Sequence, residues 1–154
     1  MEKDIFNLDL NSPTTKKLTA IILSSFLVTF IIARLFVYLV INQYTPNLFL
    51  MIKGVHVHHF TYGFFILAAV GLYLILKHPP ITSKKFRSLA CFYGIGLGLA
   101  VDEFGMWIRL EDDYWTRQSF DAVIIITLLL LNIAYFKQLI SWLKEIFSFS
   151  KNND

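Results

Sequence analysis

Two short stretches of the chain hold most of its side chains that bind metal ions or transfer protons. The stretch at residues 55–63 reads VHVHHFTYG and contains three of the four histidines. The stretch at residues 94–115 reads GIGLGLAVDEFGMWIRLEDDYW and contains five of the eleven acidic residues. Imidazoles three or four residues apart on a helix can reach one metal ion, and a nearby carboxylate can complete the ligand set or act as a base. The two stretches together predict a polar site.

A metal centre is the first chemistry that these residue types suggest. His56 and His59 share one face of a predicted helix, and His58 pairs with Tyr62 four residues on. The candidate ligands are His56, His58, His59, Glu103, Glu111 and Asp121. Because this set mixes imidazole with carboxylate and no thiolate lies nearby, it suits Zn²⁺, Fe²⁺ or Mn²⁺ better than Ca²⁺ or soft copper. The alternatives are that the histidines lie at the bilayer edge, and that the two outer acids are solvated or cap a helix.

A second set of candidate residues lies inside apolar runs, where a charged side chain is costly unless it meets a partner or a wet cavity. Gly94, Gly98 and Asp102 are spaced by four, which predicts that Asp102 points into the bundle along a face of small residues. Arg34 is the expected partner of Asp102, because the two lie at a similar depth. We predict Glu103, Arg34 and Asp102 as catalytic residues. Glu103 would act as ligand or general base, and Arg34 would hold a phosphate or carboxylate.

The elements that carry these residues are predicted to be membrane-spanning helices. The composition is 56% hydrophobic and the mean hydropathy is +0.58, more apolar than soluble domains are. Four apolar runs have about the 20 residues that a helix needs to cross a bilayer. They cover residues 18–41, 55–76, 88–108 and 120–139. We predict an all-α polytopic membrane protein with four transmembrane helices in a bundle, and with residues 1–154 in a single domain.

The segments outside these runs are predicted to lie at the membrane surface. Residues 1–17 and the tail at residues 140–149 interleave apolar with charged side chains, which is typical of amphipathic segments. The sequence NSPT at residues 11–14 predicts a helix start. The connector at residues 42–53 has a Pro-Asn turn and a short apolar piece, which favours a half-helix in the interface.

The distribution of basic residues indicates the orientation. Ten of the fourteen lysines and arginines lie on the side of the two termini and the middle loop. The positive-inside rule then places both termini in the cytoplasm and the polar site at the outer face of the cell (inner) membrane. The net charge of +3 does not favour nucleic acid as a partner, because the lysines follow loops rather than one face. The expected partners are membrane lipids, and the Gly-rich third span offers a face for a homo-oligomer.

Three motifs resemble a group of small prokaryotic integral membrane proteins without an assigned activity. They are HxHHxxxG from His56 to Gly63, DEF from Asp102 to Phe104, and EDxYW from Glu111 to Trp115. The match extends over about half of the chain. The resemblance implies a four-helix membrane fold with a shared site at the outer face, and it implies no substrate.

The function expected of this site is that of a metal-dependent hydrolase acting on a lipid or lipid-linked substrate. A bound metal ion acidifies water, and a spare carboxylate then serves as base. Two alternatives stay open: a proton or cation transport or binding protein, and a non-catalytic membrane scaffold whose polar cluster is structural. The sequence contains no P-loop, dinucleotide fingerprint, G-x-S-x-G or H-E-x-x-H motif, which argues against the corresponding soluble enzymes.

Overall fold

The computed structural model describes residues 12–46, 51–53, 55–111 and 113–151. Within these ranges it is helical apart from one pair of two-residue strands. In chain order the elements are α1 (Pro13–Ile41), β1 (Met51–Ile52), β2 (Val55–His56), α2 (His59–Lys77), α3 (Lys84–Asp102), α4 (Phe104–Arg109) and α5 (Arg117–Lys151). The all-α prediction is confirmed. Most of the amphipathic segment predicted at the N-terminus, up to residue 11, lies outside the described residues.

Three helices of the described chain are long and apolar enough to cross a membrane. They are α1, α2 and the first 19 residues of α5, Arg117–Tyr135. Their outward faces carry large apolar side chains such as Ile31, Phe65 and Leu128, each more than half exposed. An apolar surface of this extent is stable in lipid rather than in water. These three helices support the prediction that the chain is a membrane protein.

The third predicted span, residues 88–108, is not one continuous helix. α3 ends where the backbone leaves helical geometry at Glu103, with φ −102° and ψ 9°, and the short α4 follows. α3 is also less apolar than the other long helices, because its first turn reads KKFR. The prediction of an unbroken helix over this range is therefore wrong, and the break falls at a predicted site residue.

α1 begins where the sequence predicts. Ser12 is the N-cap, and its side-chain oxygen accepts a hydrogen bond from the Thr15 amide at 3.1 Å. Pro13 occupies the first turn, where a backbone N–H has no acceptor within the helix, so the N–H that proline lacks costs nothing. The buried face of the helix includes Phe26 and Val37, both at 0% exposure. With 29 residues α1 is about 43 Å long, which is enough to cross a bilayer.

α3 packs against α1 through two glycines. A β-carbon on Gly94 would lie 2.5 Å from the Ile22 carbonyl oxygen. One on Gly98 would lie 2.8 Å from the Phe26 carbonyl oxygen. Only the absence of a side chain lets the two backbones come this close. The predicted inward face of α3 is therefore confirmed, and Asp102, the next residue on that face, is fully buried.

The opposite face of α3 meets α2 in the same way. A β-carbon on Gly63 would lie 2.6 Å from the Gly96 carbonyl oxygen, and one on Gly96 would lie 3.1 Å from the Gly63 carbonyl oxygen. Gly94, Gly96 and Gly98 are thus packed inside the chain, against α1 and α2. A homo-oligomer through the third span stays a prediction.

Gly63 gives a test of this close packing. We expect Gly63→Ala to lower the free energy of unfolding by about 1–3 kcal/mol, because the new methyl group forces the backbones of α2 and α3 apart. Gly71→Ala is the matched control in the same helix, since a β-carbon there would meet no atom within 4 Å. The control should leave stability unchanged or raise it slightly. Thermal unfolding in detergent measures both variants, and equal midpoints would contradict the packing.

The second predicted helix starts later than expected. Strand β2 pairs antiparallel with β1 and places His56 opposite Met51. The β-branched residues Val55 and Val57 favour extended backbone, and α2 begins only at His59. His56 therefore does not share a helical face with His59, and that part of the spacing prediction is wrong.

Two further segments differ from the prediction. The connector expected as a half-helix over residues 42–53 contains β1 instead, and residues 47–50 lie outside the described part of the chain. α5 is one continuous helix that includes the predicted C-terminal tail. Because α5 starts at Arg117, Asp121 lies within the helix and is not its N-cap.

Candidate functional site

Arg34 and Asp102 form the buried ion pair that the sequence predicts. Arg34 Nε lies 2.7 Å from Asp102 Oδ1, and the two side chains are 9% and 0% exposed. The contact is close, but within the described chain neither Arg34 Nε nor either carboxylate oxygen of Asp102 makes a directed hydrogen bond. Charge therefore holds the pair together. The Asp102 carboxylate can therefore still accept a hydrogen bond or bind a cation in addition to its contact with Arg34.

The break between α3 and α4 gives Arg34 its other partners. In a continuous helix the Asp102 carbonyl would accept from the Met106 amide, but Met106 donates to the Glu103 carbonyl at 3.1 Å instead. The Asp102 carbonyl accepts from Arg34 Nη2, and the Tyr114 carbonyl accepts from Arg34 Nη1. Arg34 thereby satisfies backbone groups that lack a helical partner. Since each nitrogen of its guanidinium is engaged, the geometry favours a positioning role over the predicted capture of a substrate anion.

Three aromatic rings surround the guanidinium of Arg34. Its Cζ lies 5.2 Å, 5.0 Å and 5.8 Å from the ring centroids of Phe30, Phe120 and Trp115. Ring faces attract a cation, and the attraction is larger away from water. Arg34 therefore joins α1 to the start of α5 as well as to the helix break.

Glu103 connects the helix break to the start of α2. Its side chain is 0% exposed, and its Oε2 accepts a hydrogen bond from the Phe60 amide at 2.8 Å. His58, the N-cap of α2, makes no side-chain capping hydrogen bond. Glu103 thus supplies, from the break between α3 and α4, the acceptor that a capping residue normally provides. The dipole of α2 also favours a carboxylate in this position.

His58 and His59 approach the two carboxylates from the start of α2. His58 Nδ1 lies 3.2 Å from Glu103 Oε1, within hydrogen-bond distance. His59 Nδ1 lies 3.7 Å from Glu103 Oε1 and 3.8 Å from Asp102 Oδ2. His59 Nδ1 is buried and makes no hydrogen bond within the described residues. Two imidazoles and two carboxylates therefore meet at one place, and hydrogen bonds do not satisfy all of their polar atoms.

A cavity of about 310 Å³ opens beside these side chains. Its walls are formed by His58, Met106, Trp107, Leu110 and Glu111. Most of this lining is apolar, and Trp107 packs against Phe60 with ring centroids 4.5 Å apart. His58 both lines the cavity and contacts Glu103, so it connects the cavity to the buried carboxylates.

The structure brings some predicted site residues together and separates others. The polar cluster, as it is called below, consists of Arg34, His58, His59, Asp102 and Glu103. Glu111 lies at the cavity wall and pairs with Arg109 at 3.2 Å. Asp121 faces a different cavity and pairs with Arg117 at 3.3 Å. For His56 the backbone alone is described, so its predicted ligand role stays a prediction.

Three small residues support the helix break and are missed by the sequence analysis. The Gly105 amide donates to Ser119 Oγ at 2.9 Å, and a β-carbon on Gly105 would lie 2.9 Å from the Ser119 amide nitrogen. Thr116 and Ser119 are 2% and 0% exposed. The available signal was the glycine in DEFG, since a glycine inside an apolar helical pattern can mark a close backbone approach.

Ser119 is expected to matter for stability through this single hydrogen bond. Ser119→Ala should cost about 1–3 kcal/mol, because it leaves the buried Gly105 amide without an acceptor. Ser141→Ala, at an exposed position of the same helix, should have little effect. Denaturant unfolding in detergent, followed by tryptophan fluorescence, compares the two. Equal midpoints would mean that the Gly105 amide finds another acceptor.

Comparison with known proteins adds no family to this geometry. No protein-family model, curated protein or solved structure matches the chain. The resemblance carried by the three sequence motifs therefore stays a prediction. In the part of the chain that the structure describes, no group of three or more His, Cys, Asp and Glu side chains is arranged to hold a metal ion as it stands.

Proposed function

We propose that the polar cluster binds one divalent cation, and that the protein is a metal-dependent hydrolase of a lipid or lipid-linked substrate. The observation that carries this proposal is the charge of the cluster. Asp102 and Glu103 are both fully buried, and one arginine, Arg34, lies against the carboxylate of Asp102. A buried charge is unstable unless it is paired, so the Glu103 carboxylate favours a positive charge beside it, which either a protonated histidine or a bound cation can supply. In this proposal a cation between His59 and the two carboxylates supplies the charge.

Polar atoms without hydrogen bonds support the same interpretation. His59 Nδ1 and Asp102 Oδ2 are buried and make no hydrogen bond among the described residues, whereas Asp102 Oδ1 is already paired with Arg34. Such atoms are rare in folded proteins, and a bound ion or water is one of their common explanations. Imidazole nitrogen and carboxylate oxygen are ligands of Zn²⁺, Fe²⁺ and Mn²⁺, which keeps these three ions as the candidates.

The two distances from His59 Nδ1 to the carboxylate oxygens are close to the distance between two ligands on one ion. With bonds of about 2.1 Å, two ligand atoms lie roughly 3.4 Å apart at a tetrahedral angle and roughly 3.6 Å apart at 120°. His59 Nδ1 is 3.7 Å from Glu103 Oε1 and 3.8 Å from Asp102 Oδ2. A shift of a few tenths of an ångström by the His59 ring would bring both of its distances into this range. The three ligand atoms would therefore reach their final positions only when the ion binds.

The surroundings of this ligand set would orient it. Asp102 would offer Oδ2 to the ion while Oδ1 stays beside Arg34. Glu103 would offer Oε1 while Oε2 accepts from the Phe60 amide. Partners of this kind fix the direction of metal ligands and tune their basicity. Arg34 is thus assigned a positioning role, and Glu103 the role of ligand.

The cavity and the His58–Glu103 contact support hydrolysis of an amphiphile. The apolar walls formed by Met106, Trp107 and Leu110 suit an acyl or prenyl chain, and His58 presents a polar group beside them. A metal ion bound in the cluster would acidify water and polarise the bond to be cleaved. Glu103 orients the His58 ring through Nδ1, so the imidazole can accept a proton at Nε2 and return it to the leaving group.

The proposal includes α3 as a fourth transmembrane helix. Its 19 residues are about 28 Å long, close to the thickness of the hydrocarbon core. The basic starts of α1 and α3 lie at the end opposite to the polar cluster. This distribution supports cytoplasmic termini and a site at the outer face of the cell membrane.

Metal analysis of the purified protein tests this function. We expect about one ion per chain in the wild type, and loss of the ion in His59→Ala, because that variant removes the imidazole ligand. His78→Ala is the matched control, since His78 caps the opposite end of α2 and should leave the metal content unchanged. A folded wild type that takes up no Zn²⁺, Fe²⁺ or Mn²⁺ during equilibrium dialysis would contradict the proposal.

A second candidate function is that of a non-catalytic membrane scaffold. The observation that favours it is that Arg34 and Glu103 both bind backbone groups, at the helix break and at the start of α2. A cluster with that role alone would hold the helices together without metal. A stable, metal-free wild type would support the scaffold over the hydrolase.

A further inference from the structure

A second cavity lies at the end of the bundle opposite the polar cluster. It has a volume of about 240 Å³ and lies between the start of α1, the loop after α2 and the start of α3. The polar side chains in its lining are Thr14, Lys17, Thr82 and Arg87. Lys17 and Arg34 are 17 residues apart on α1, or about 26 Å, which puts this cavity and the polar cluster at opposite boundaries of the hydrocarbon core.

The charges of this cavity are positive and unbalanced. Lys17 and Arg87 line it, and no acidic side chain does. Arg34, Arg109 and Arg117 each have a carboxylate within 4 Å, whereas Lys17 and Arg87 have none in the described part of the chain. The threonine hydroxyls add donors to those of the two cations. A phosphate accepts charge-assisted hydrogen bonds from such a set.

We propose that this cavity binds the phosphate headgroup of an anionic phospholipid. Apolar residues such as Leu18 and Ile81 complete its walls, next to helix faces that are exposed and apolar. The volume is below the roughly 300–1,000 Å³ of pockets that enclose whole small molecules, so it suits a headgroup whose chains stay outside along the helices. Basic pockets between transmembrane helices bind lipid headgroups in this way. None of these residues belongs to the polar cluster, so the site does not depend on the proposed hydrolysis.

Native mass spectrometry of the purified full chain in detergent tests the lipid site. Phosphatidylglycerol and phosphatidylcholine are titrated against the wild type and the double variant Lys17→Gln/Arg87→Gln. We expect the wild type to prefer phosphatidylglycerol, and the double variant to bind it at least about tenfold more weakly, because two cations near a phosphate are removed. Lys77→Gln/Lys85→Gln removes the same charge at the same end, outside the cavity lining, and should change binding less than about twofold.

Three results would overturn the proposal. One is equal weakening in both double variants, which would indicate diffuse attraction to the basic end. Another is a wild type that binds phosphatidylglycerol no more tightly than phosphatidylcholine. The third is displacement of the lipid by an equal concentration of inorganic phosphate, which would make free phosphate the ligand. If the first double variant does not fold, the single variant Arg87→Gln is compared with Lys85→Gln, and a loss of about fivefold is expected for Arg87→Gln alone.

Discussion

Replacing Arg34 by leucine is expected to lower the free energy of unfolding by about 3–5 kcal/mol. Asp102 would then be a fully buried carboxylate without its ion-pair partner. The carbonyls of Asp102 and Tyr114 would also lose their donor at the helix break. Both effects act where water cannot replace the missing groups. Unfolding in mixed detergent with increasing denaturant measures the loss.

Three further variants test whether the loss of stability in Arg34→Leu comes from the buried ion pair. Arg34→Lys keeps a charge but cannot reach two carbonyls and a carboxylate with one planar group, so it should lie between wild type and Arg34→Leu. Arg34→Leu/Asp102→Leu should recover part of the stability, because no uncompensated charge remains. Arg117→Leu removes an exposed arginine from a surface pair and should change little. An Arg34→Leu variant as stable as Arg117→Leu would show that the buried pair does not hold the helices.

Replacing Glu103 by glutamine is expected to weaken divalent metal binding by at least about 100-fold while leaving the fold in place. The amide oxygen of glutamine can still accept from the Phe60 amide, so the cap on α2 is kept. The negative charge beside His58 and His59 is lost, and with it the proposed ligand. Calorimetric titration of Zn²⁺ or Mn²⁺ into metal-free protein measures the affinity.

The same titration, with a second variant, separates the two roles of Glu103, which are metal ligand and cap of α2. Glu103→Ala should lose both the metal affinity and the cap on α2, and so should also be less stable than Glu103→Gln. Glu111→Gln is the matched control, because its carboxylate is more than half exposed and contacts Arg109. It should change the affinity less than about twofold. Equal affinity in wild type and Glu103→Gln would remove Glu103 from the proposed ligands.

The parts of the site that the sequence predicted correctly follow from strong local rules. Arg34 and Asp102 are charges inside apolar runs, and the cost of leaving either unpaired in a membrane predicts their contact. The spacing of Gly94 and Gly98 before Asp102 predicts the side of the helix on which the contact forms. The start of α1 follows from the helix-capping preference of Ser12.

The parts that were missed depend on partners distant in the chain. The break at Glu103 is stable because the backbone groups around it bind Arg34 and Ser119, and neither partner is apparent from the apolar run itself. The extended segment containing His56 depends on pairing with Met51, across a turn that helical periodicity does not indicate. Periodicity reports which residues share a face, and it does not report where hydrogen bonds to other segments interrupt the helix.

Diffraction from crystals grown with Mn²⁺ or Zn²⁺, recorded at the absorption edge of the metal, tests the central claim most directly. We expect one anomalous peak within about 2.0–2.3 Å of His59 Nδ1, Asp102 Oδ2 and Glu103 Oε1. We also expect His59 Nδ1 to lie nearer to both carboxylates than the present 3.7 Å and 3.8 Å. Metal-saturated crystals without density at this position, with the His59 ring turned towards lipid, would contradict it.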